Sequence, residues 1–200
     1  MKKPFRELGS LAKIPLFAAF ALLAVSAFAE DTGKYQDESR LVAMPFLKQL
    51  SAENQKANSE GGFDAAIKVC KETAPKLAGD ISRQSGWKLT RISQKLRNPL
   101  LGMPDSWEQE KLQAFEKRVA TGEKGEGMEL AEIVQEPGGK YFRYLKVIVV
   151  QPGCLMCHGS QEQIPGSVKE KLHDEYPHDK ATGYSVGQIR GAVSIKRPIE

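Results

Sequence analysis

Cys154 and Cys157 stand three residues apart and His158 follows directly, in the stretch Gly153-Cys154-Leu155-Met156-Cys157-His158-Gly159. Thiols at i and i+3 lie on one face of a helical turn. Both can therefore form thioethers with the two vinyl groups of a single haem, while the next residue's imidazole turns under the ring towards the iron. C-x-x-C-H is the attachment pattern of a c-type haem. The expectation is one haem c, covalent through Cys154 and Cys157, with His158 as an iron ligand. Two other chemistries share part of the pattern. A thioredoxin-like redox pair sits beside a βαβ unit; here residues 141–150 read as a strand before the motif, but no long regular helix is evident after it. A zinc site needs a second ligand pair at similar spacing, which His173 and His178 do not supply.

A haem iron takes a sixth partner or leaves an open position. The side chains able to serve are Cys70, His173, His178 or one of the five methionines. Cys70 has no cysteine to pair with once Cys154 and Cys157 hold haem, and a lone thiol in an oxidising compartment needs an explanation. A buried, small, apolar cysteine is the alternative reading. Haem propionates call for donors, and Arg97, Lys146 and Arg190 are candidates; the plainer reading of each is a solvated surface charge. His173 and His178 could act as acid or base in a peroxidase-like site, though exposed loop histidines are the simpler account.

These residues need a scaffold and an address. The first 29 residues read as a secretory leader. Lys2, Lys3, Arg6 and Lys13 form a basic start, residues 14–28 are apolar, and Ala27-Phe28-Ala29 is a small-x-small cleavage site. The apolar run is short for a membrane span, which takes about 17–25 residues; an uncleaved anchor is the alternative. Cleavage after Ala29 leaves residues 30–200 as a single domain in the periplasm, where bacterial c-type haem is attached. The whole chain carries 29 basic and 25 acidic residues; removing the leader's four and one leaves 25 and 24, formally +1. No concentrated basic face for nucleic acid follows from that balance.

Along the mature chain, residues 38–58 predict a helix with Leu41, Met44, Leu47 and Leu50 inward and Pro45 inside it. Gly61-Gly62 breaks it. A second helix from Phe63-Asp64 turns Ala66, Ile67, Cys70, Ala74 and Leu77 inward, is disturbed at Pro75 and stops at Gly86. Residues 87–93 read as a strand and residues 97–104 as a loop. Asp105 or Ser106 caps a helix to about Thr121 with Trp107, Leu112, Phe115 and Val119 inward. Residues 128–135 and 140–150 form a hairpin about Pro137-Gly138-Gly139. Ser167 starts a short helix to His173, and residues 190–196 are a last strand. Helices followed by hairpin-linked strands predict an α+β domain with an antiparallel sheet.

Taken together, these pieces resemble a family of small exported c-type haem proteins with a PAS-like fold, described as a domain of unknown function. Related domains serve as input modules of bacterial chemoreceptors and histidine kinases. The resemblance is carried by Cys70-Lys71-Glu72-Thr73-Ala74-Pro75, Gly86-Trp87, Arg97-Asn98-Pro99, Trp107-Glu108, the run from Tyr141 to Lys146, Cys154 to Gly159, Tyr176-Pro177 with Asp179, Gly183-Tyr184 and Arg190-Gly191-Ala192. It implies a PAS-like antiparallel sheet flanked by N-terminal helices, with His158 as proximal and Cys70 as distal ligand. One departure is local: the family's pattern leads us to expect a proline near position 147, where this chain has Lys146-Val147-Ile148.

The function expected is a periplasmic single-haem cytochrome, redox active, serving electron transfer with a redox partner protein and not acting as an enzyme. The alternative is a redox or diatomic-gas sensor with a signalling partner, in which Cys70 dissociates on reduction. A peroxidase-like enzyme or a thiol oxidoreductase is a further alternative. The absence of a kinase or second membrane segment after the domain favours the carrier. The sequence does not give the oligomeric state.

Overall fold

The computed structural model describes residues 17–199, with side chains described from Thr32 onward. The side chains of the expected leader, residues 1–29, lie outside the described residues. No described helix is long and apolar enough to cross a membrane. Helix α1 spans Phe17–Lys68 and a π-helical turn covers Val69–Thr73. Then come α2 (Ala74–Ser85), β1 (Lys88–Ile92), the one-turn α3 (Pro99–Gly102) and α4 (Ser106–Ala120). The hairpin strands β2 (Glu129–Glu136) and β3 (Gly139–Val149) lead into the short α5 (Leu155–His158). Helix α6 (Gly166–Glu175) and strand β4 (Ile189–Ile199) complete the chain.

Helix α1 is two arms. Gly62 has φ 67° and ψ −162°, a conformation that suits glycine. In a straight helix Asn54 and Ala66 would lie about 18 Å apart, yet the Asn54 carboxamide reaches the Ala66 carbonyl at 3.0 Å. The chain therefore folds back on itself at the glycine pair expected to break it. Pro45 stays inside the helix. The inward stripe of the first arm differs from the expected one: Leu41 and Met44 are exposed, and Ser39, Ala43, Phe46 and Leu50 are buried. Steps of three residues drift around a 3.6-residue helix, so Leu41 and Leu50 face opposite sides; the buried set follows the true period.

Pro75 is accommodated differently. It stands at the start of α2, just past the π turn. Proline has no N–H and clashes with the carbonyl four residues back, and the wider π turn gives that carbonyl room. Gly86 then closes α2 in the left-handed conformation, φ 72°.

The sheet is antiparallel throughout, in the order β1-β4-β3-β2. One face carries Leu89, Phe142, Tyr144, Val193 and Ile195 against α1 and α2. The other carries Ile92, Leu145, Val147 and Ala192 against Leu112 and Phe115 of α4. Strand β4 is central and covered on both sides, which is why Ala192, Val193, Ser194 and Ile195 are all buried. The register of β3 against β4 runs through Val147 and shifts between Ile148 and Val149. At that point Gly191 lies so close to Ile92 that a Cβ would fall 2.1 Å from the Ile92 carbonyl oxygen. Ile148 and Val149 at this bulge, where a strand bends, line a cavity.

Candidate haem site

The C-x-x-C-H motif is held on two short turns. A 3₁₀ turn (Pro152–Cys154) runs into α5, whose last residue is His158. Gly159 ends α5 where a Cβ would meet the Leu155 carbonyl at 2.6 Å and the Gln163 side chain at 2.7 Å. Beyond it, residues 181–184 lie along the motif. The Tyr184 amide donates to the His158 carbonyl at 2.9 Å and the Gly183 amide to the Gly159 carbonyl at 2.7 Å. The Tyr184 ring stands edge-on to the imidazole, 6.2 Å away.

His158 Nδ1 lies 2.7 Å from the Ala181 carbonyl oxygen. A carbonyl only accepts, so Nδ1 carries the proton and Nε2 keeps its lone pair, towards which Arg190 Nε donates at a long 3.5 Å. Burial, and after it the charges of Arg97 and Arg190, hold His158 well below the ordinary imidazole value, so the ring is neutral. The Ala181 carbonyl is itself positioned. The Ala181 amide donates to Asp179 at 2.7 Å, and Asp179 pairs with Arg97 at 3.0 Å. Arg97 also donates to the Cys157 carbonyl at 2.5 Å. Arg97 and Asp179 are about one-tenth exposed. A ligand imidazole whose other nitrogen is fixed by a carbonyl, itself fixed by a buried ion pair, has the outer support typical of metal-binding histidines.

A cavity of about 440 Å³ opens beside His158, within the size range of ligand pockets. Its walls are Ala74 and Ala78 of α2, Leu89 and Ile92 of β1, Leu96 and Leu101, and Ile148 and Val149 at the bulge. Cys70 and Cys154 line it together with His158. Cys157 is half-buried against the cluster of Ile67, Ile164, Val168 and Leu172, and burial raises its thiol pKa. All three cysteines are free thiols. Three arginines, Arg91, Arg97 and Arg190, border the space. Among the described residues only Arg97 has a carboxylate partner. Arg190 donates to Ser93 Oγ at 2.6 Å and the Lys95 carbonyl at 3.2 Å, and burial, with the like charges of Arg97 and Arg91, lowers its pKa.

The structure thus brings five of the seven residues singled out from sequence, Cys70, Cys154, His158, Arg97 and Arg190, to one cavity, while Cys157 packs beside it against the cluster around Val168. Lys146 is elsewhere: its ammonium donates to the Gly127 carbonyl at 2.9 Å and pairs with Glu129 at 3.8 Å. It projects from β3 beside the β2 start, two residues before Ile148 reaches the cavity. His173 and His178 are exposed, and His173 lies on α6 rather than in a loop. Arg91 was missed as a site residue, although its place opposite Lys88 and Thr90 in the strand alternation was visible.

A family model covers residues 21–198. The chain belongs to the Tll0287-like family. The crystal structure of the cyanobacterial haem protein Tll0287 matches with a TM-score of 0.59 and 24% identity, over 82% of this chain and 96% of that one. At that identity the match speaks for the fold, and it agrees with the α+β architecture expected from the order of elements. No curated protein matches.

The donor set here fits a haem. A planar apolar ring suits the alanine- and leucine-lined walls, two anionic propionates suit arginines without carboxylates, and His158 offers iron a lone pair. In this member of the Tll0287-like family those groups come from four separate stretches, around residues 70, 91–97, 154–158 and 190.

Proposed function

We propose that this chain is an exported, single-haem c-type cytochrome that carries electrons. Cys154 and Cys157 would hold the haem covalently, and His158 and Cys70 would be its two iron ligands. The observation that carries the reading is the unprotonated Nε2 of a neutral His158, at a cavity that Cys70 and Cys154 also line. The likeness to a haem protein of the same family supports it. When bound, the haem would supply a one-electron ferric/ferrous couple.

The residues do the rest. His158 Nε2 and Cys70 Sγ would both donate to the iron, which would leave it no position for a substrate. The thiolate of Cys70, an anionic donor, stabilises the ferric state relative to a neutral thioether ligand. Arg91, Arg97 and Arg190 would answer the charge of the propionates. The apolar walls exclude water, which limits reorganisation during electron exchange. The partner is a redox protein on the same side of the membrane.

A second reading rests on the π turn that holds Cys70. Such turns recur at functional sites, and a ligand held on one irregular turn could leave. The protein would then sense redox state or a diatomic gas through displacement of Cys70 and pass the change to a signalling partner. One experiment separates these. Absorption spectra of the ferric and dithionite-reduced protein are recorded with and without carbon monoxide, for the natural chain and for Cys70→Ala. A ferric thiolate spectrum, lost in Cys70→Ala, with no carbon monoxide shift in the natural chain, is expected of the carrier. A carbon monoxide shift in the natural chain would favour the sensor. An unchanged spectrum in Cys70→Ala would remove Cys70 as a ligand.

A further inference from the structure

Asn54 stands on the first arm of α1, sixteen residues before Cys70, and no reading of the motif touches it. Its Nδ2 lies 3.0 Å from the Ala66 carbonyl oxygen and 3.6 Å from Cys70 Sγ. A carboxamide NH₂ has two hydrogens. One serves the carbonyl and the other points at the sulphur. The assignment does not depend on the usual amide ambiguity, because a flipped side chain would set its oxygen against the Ala66 carbonyl. The contact is half-buried and exists only because α1 folds back at Gly62. Asn54 therefore joins the two arms of the helical hairpin through the very atom that would bind iron.

We infer that Asn54 is a positioning residue that sets the reduction potential, by donating a hydrogen bond to the Cys70 thiolate. The inference rests on Cys70 serving as an iron ligand. An N–H directed at a thiolate draws charge off the sulphur. That weakens its donation to the ferric state more than to the ferrous state, and hydrogen bonds to ligand sulphur are a recognised lever on potential. Asn54 thus offsets part of the ferric bias that a thiolate imposes. It also makes the first arm of α1 the element that feels the charge on sulphur: when iron draws less on the thiolate, the Asn54 contact strengthens.

The test is a potentiometric titration of the holoprotein at an electrode, with the ferric spectrum and the thermal midpoint recorded alongside. Asn54→Leu keeps the bulk and removes the donor; Asn54→Gln keeps an N–H. Asn54→Leu should retain the ferric thiolate spectrum and raise the preference for ferric iron about tenfold, a fall of about 59 mV for a one-electron couple. Asn54→Gln should lie between Asn54→Leu and the natural chain. A potential unmoved in Asn54→Leu, with only the thermal midpoint lowered, would overturn the inference and leave Asn54 as a tie between helices. If the natural chain shows no thiolate spectrum at all, Cys70 is not the ligand, and the inference falls with that reading for a reason the spectrum identifies.

Discussion

Two regions of this protein bury arginine, and they treat it in opposite ways. Under α4, Arg143 is 1% exposed and faces three carboxylates: Asp105 at 2.7 Å, Glu136 at 2.7 Å and Glu108 at 3.2 Å. The Trp107 ring covers it at 4.6 Å, and Ser194 donates to Glu108 at 2.6 Å. The charge is answered from within the fold. Around the cavity, of Arg91, Arg97 and Arg190 only Arg97 has a carboxylate partner among the described residues, Asp179. There the fold leaves positive charge beside an apolar space. A buried charge is costly unless paired, so the first arrangement balances its charge within the fold, although Arg143 Nε has no hydrogen-bond partner, and the second anticipates an anionic ligand. That contrast separates an arginine that serves the structure from arginines that serve a site.

Substitution should expose the difference most strongly at Arg143. Arg143→Met strands the buried Glu108 without its cation, and removing one partner of a buried pair costs about 3–5 kcal/mol. Urea denaturation of the natural and variant chains should show a loss of that size. A change below about 1 kcal/mol would erase the contrast.

The matching change in the cavity should behave otherwise. Arg190→Met relieves a half-buried charge that has no carboxylate partner, so the haem-free protein should be as stable as the natural chain or more so. In the holoprotein the same change removes a positive charge whose Nε lies 3.5 Å from His158 Nε2. Ferrous iron should lose on the order of 1 kcal/mol of preference, read as a lower potential. If Arg190→Met instead destabilised the haem-free protein as Arg143→Met does, the cavity arginines would be structural.

A smaller effect sharpens the same division through acid. Glu129 joins α1 to the sheet. Although burial opposes it, hydrogen bonds from Arg40, Tyr144 and Gln36 draw its pKa from 4.5 to about 2. The native state therefore holds the carboxylate ionised where the unfolded chain would already bind a proton. Its contribution is full above about pH 4.5 and is lost as pH falls towards about 2. After solvent screening it is on the order of 1 kcal/mol. Glu129→Gln should flatten the fall in urea midpoint between pH 5 and pH 3, whereas Arg190→Met should leave that fall unchanged.

Much of this was legible in the chain because the signals were local. The Asp105–Glu108 capping box is present as both reciprocal bonds. The turn at Pro137-Gly138-Gly139, the stop at Gly86 and the motif at Cys154, Cys157 and His158 are likewise decided by neighbours in sequence. What was not legible depends on distance along the chain. The first-arm stripe was misplaced because spacings of three mimic a helical face over two turns and fail over three. The one-turn α3, capped only by the Asn98 side-chain oxygen accepting from the Leu100 amide, reads as loop because Pro99 and Gly102 bracket it. Ser167 lies inside α6 and makes no cap bond. Lys146 and Arg91 are both basic strand residues, and only the pairing of β1, β4 and β3 decides which of them reaches the cavity. Asn54 carried no signal, because its partner comes sixteen residues later across a fold in the helix.

The central claim is a haem held by Cys154 and Cys157, and intact mass spectrometry under denaturing conditions tests it most directly. The chain would be produced with its leader in cells that carry the haem-attachment machinery. The account predicts a mass increase of one haem that survives denaturation, together with loss of that increase in the doubly substituted Cys154→Ser, Cys157→Ser chain. A natural chain recovered at its bare polypeptide mass would contradict the account and return the two cysteines to thiol chemistry.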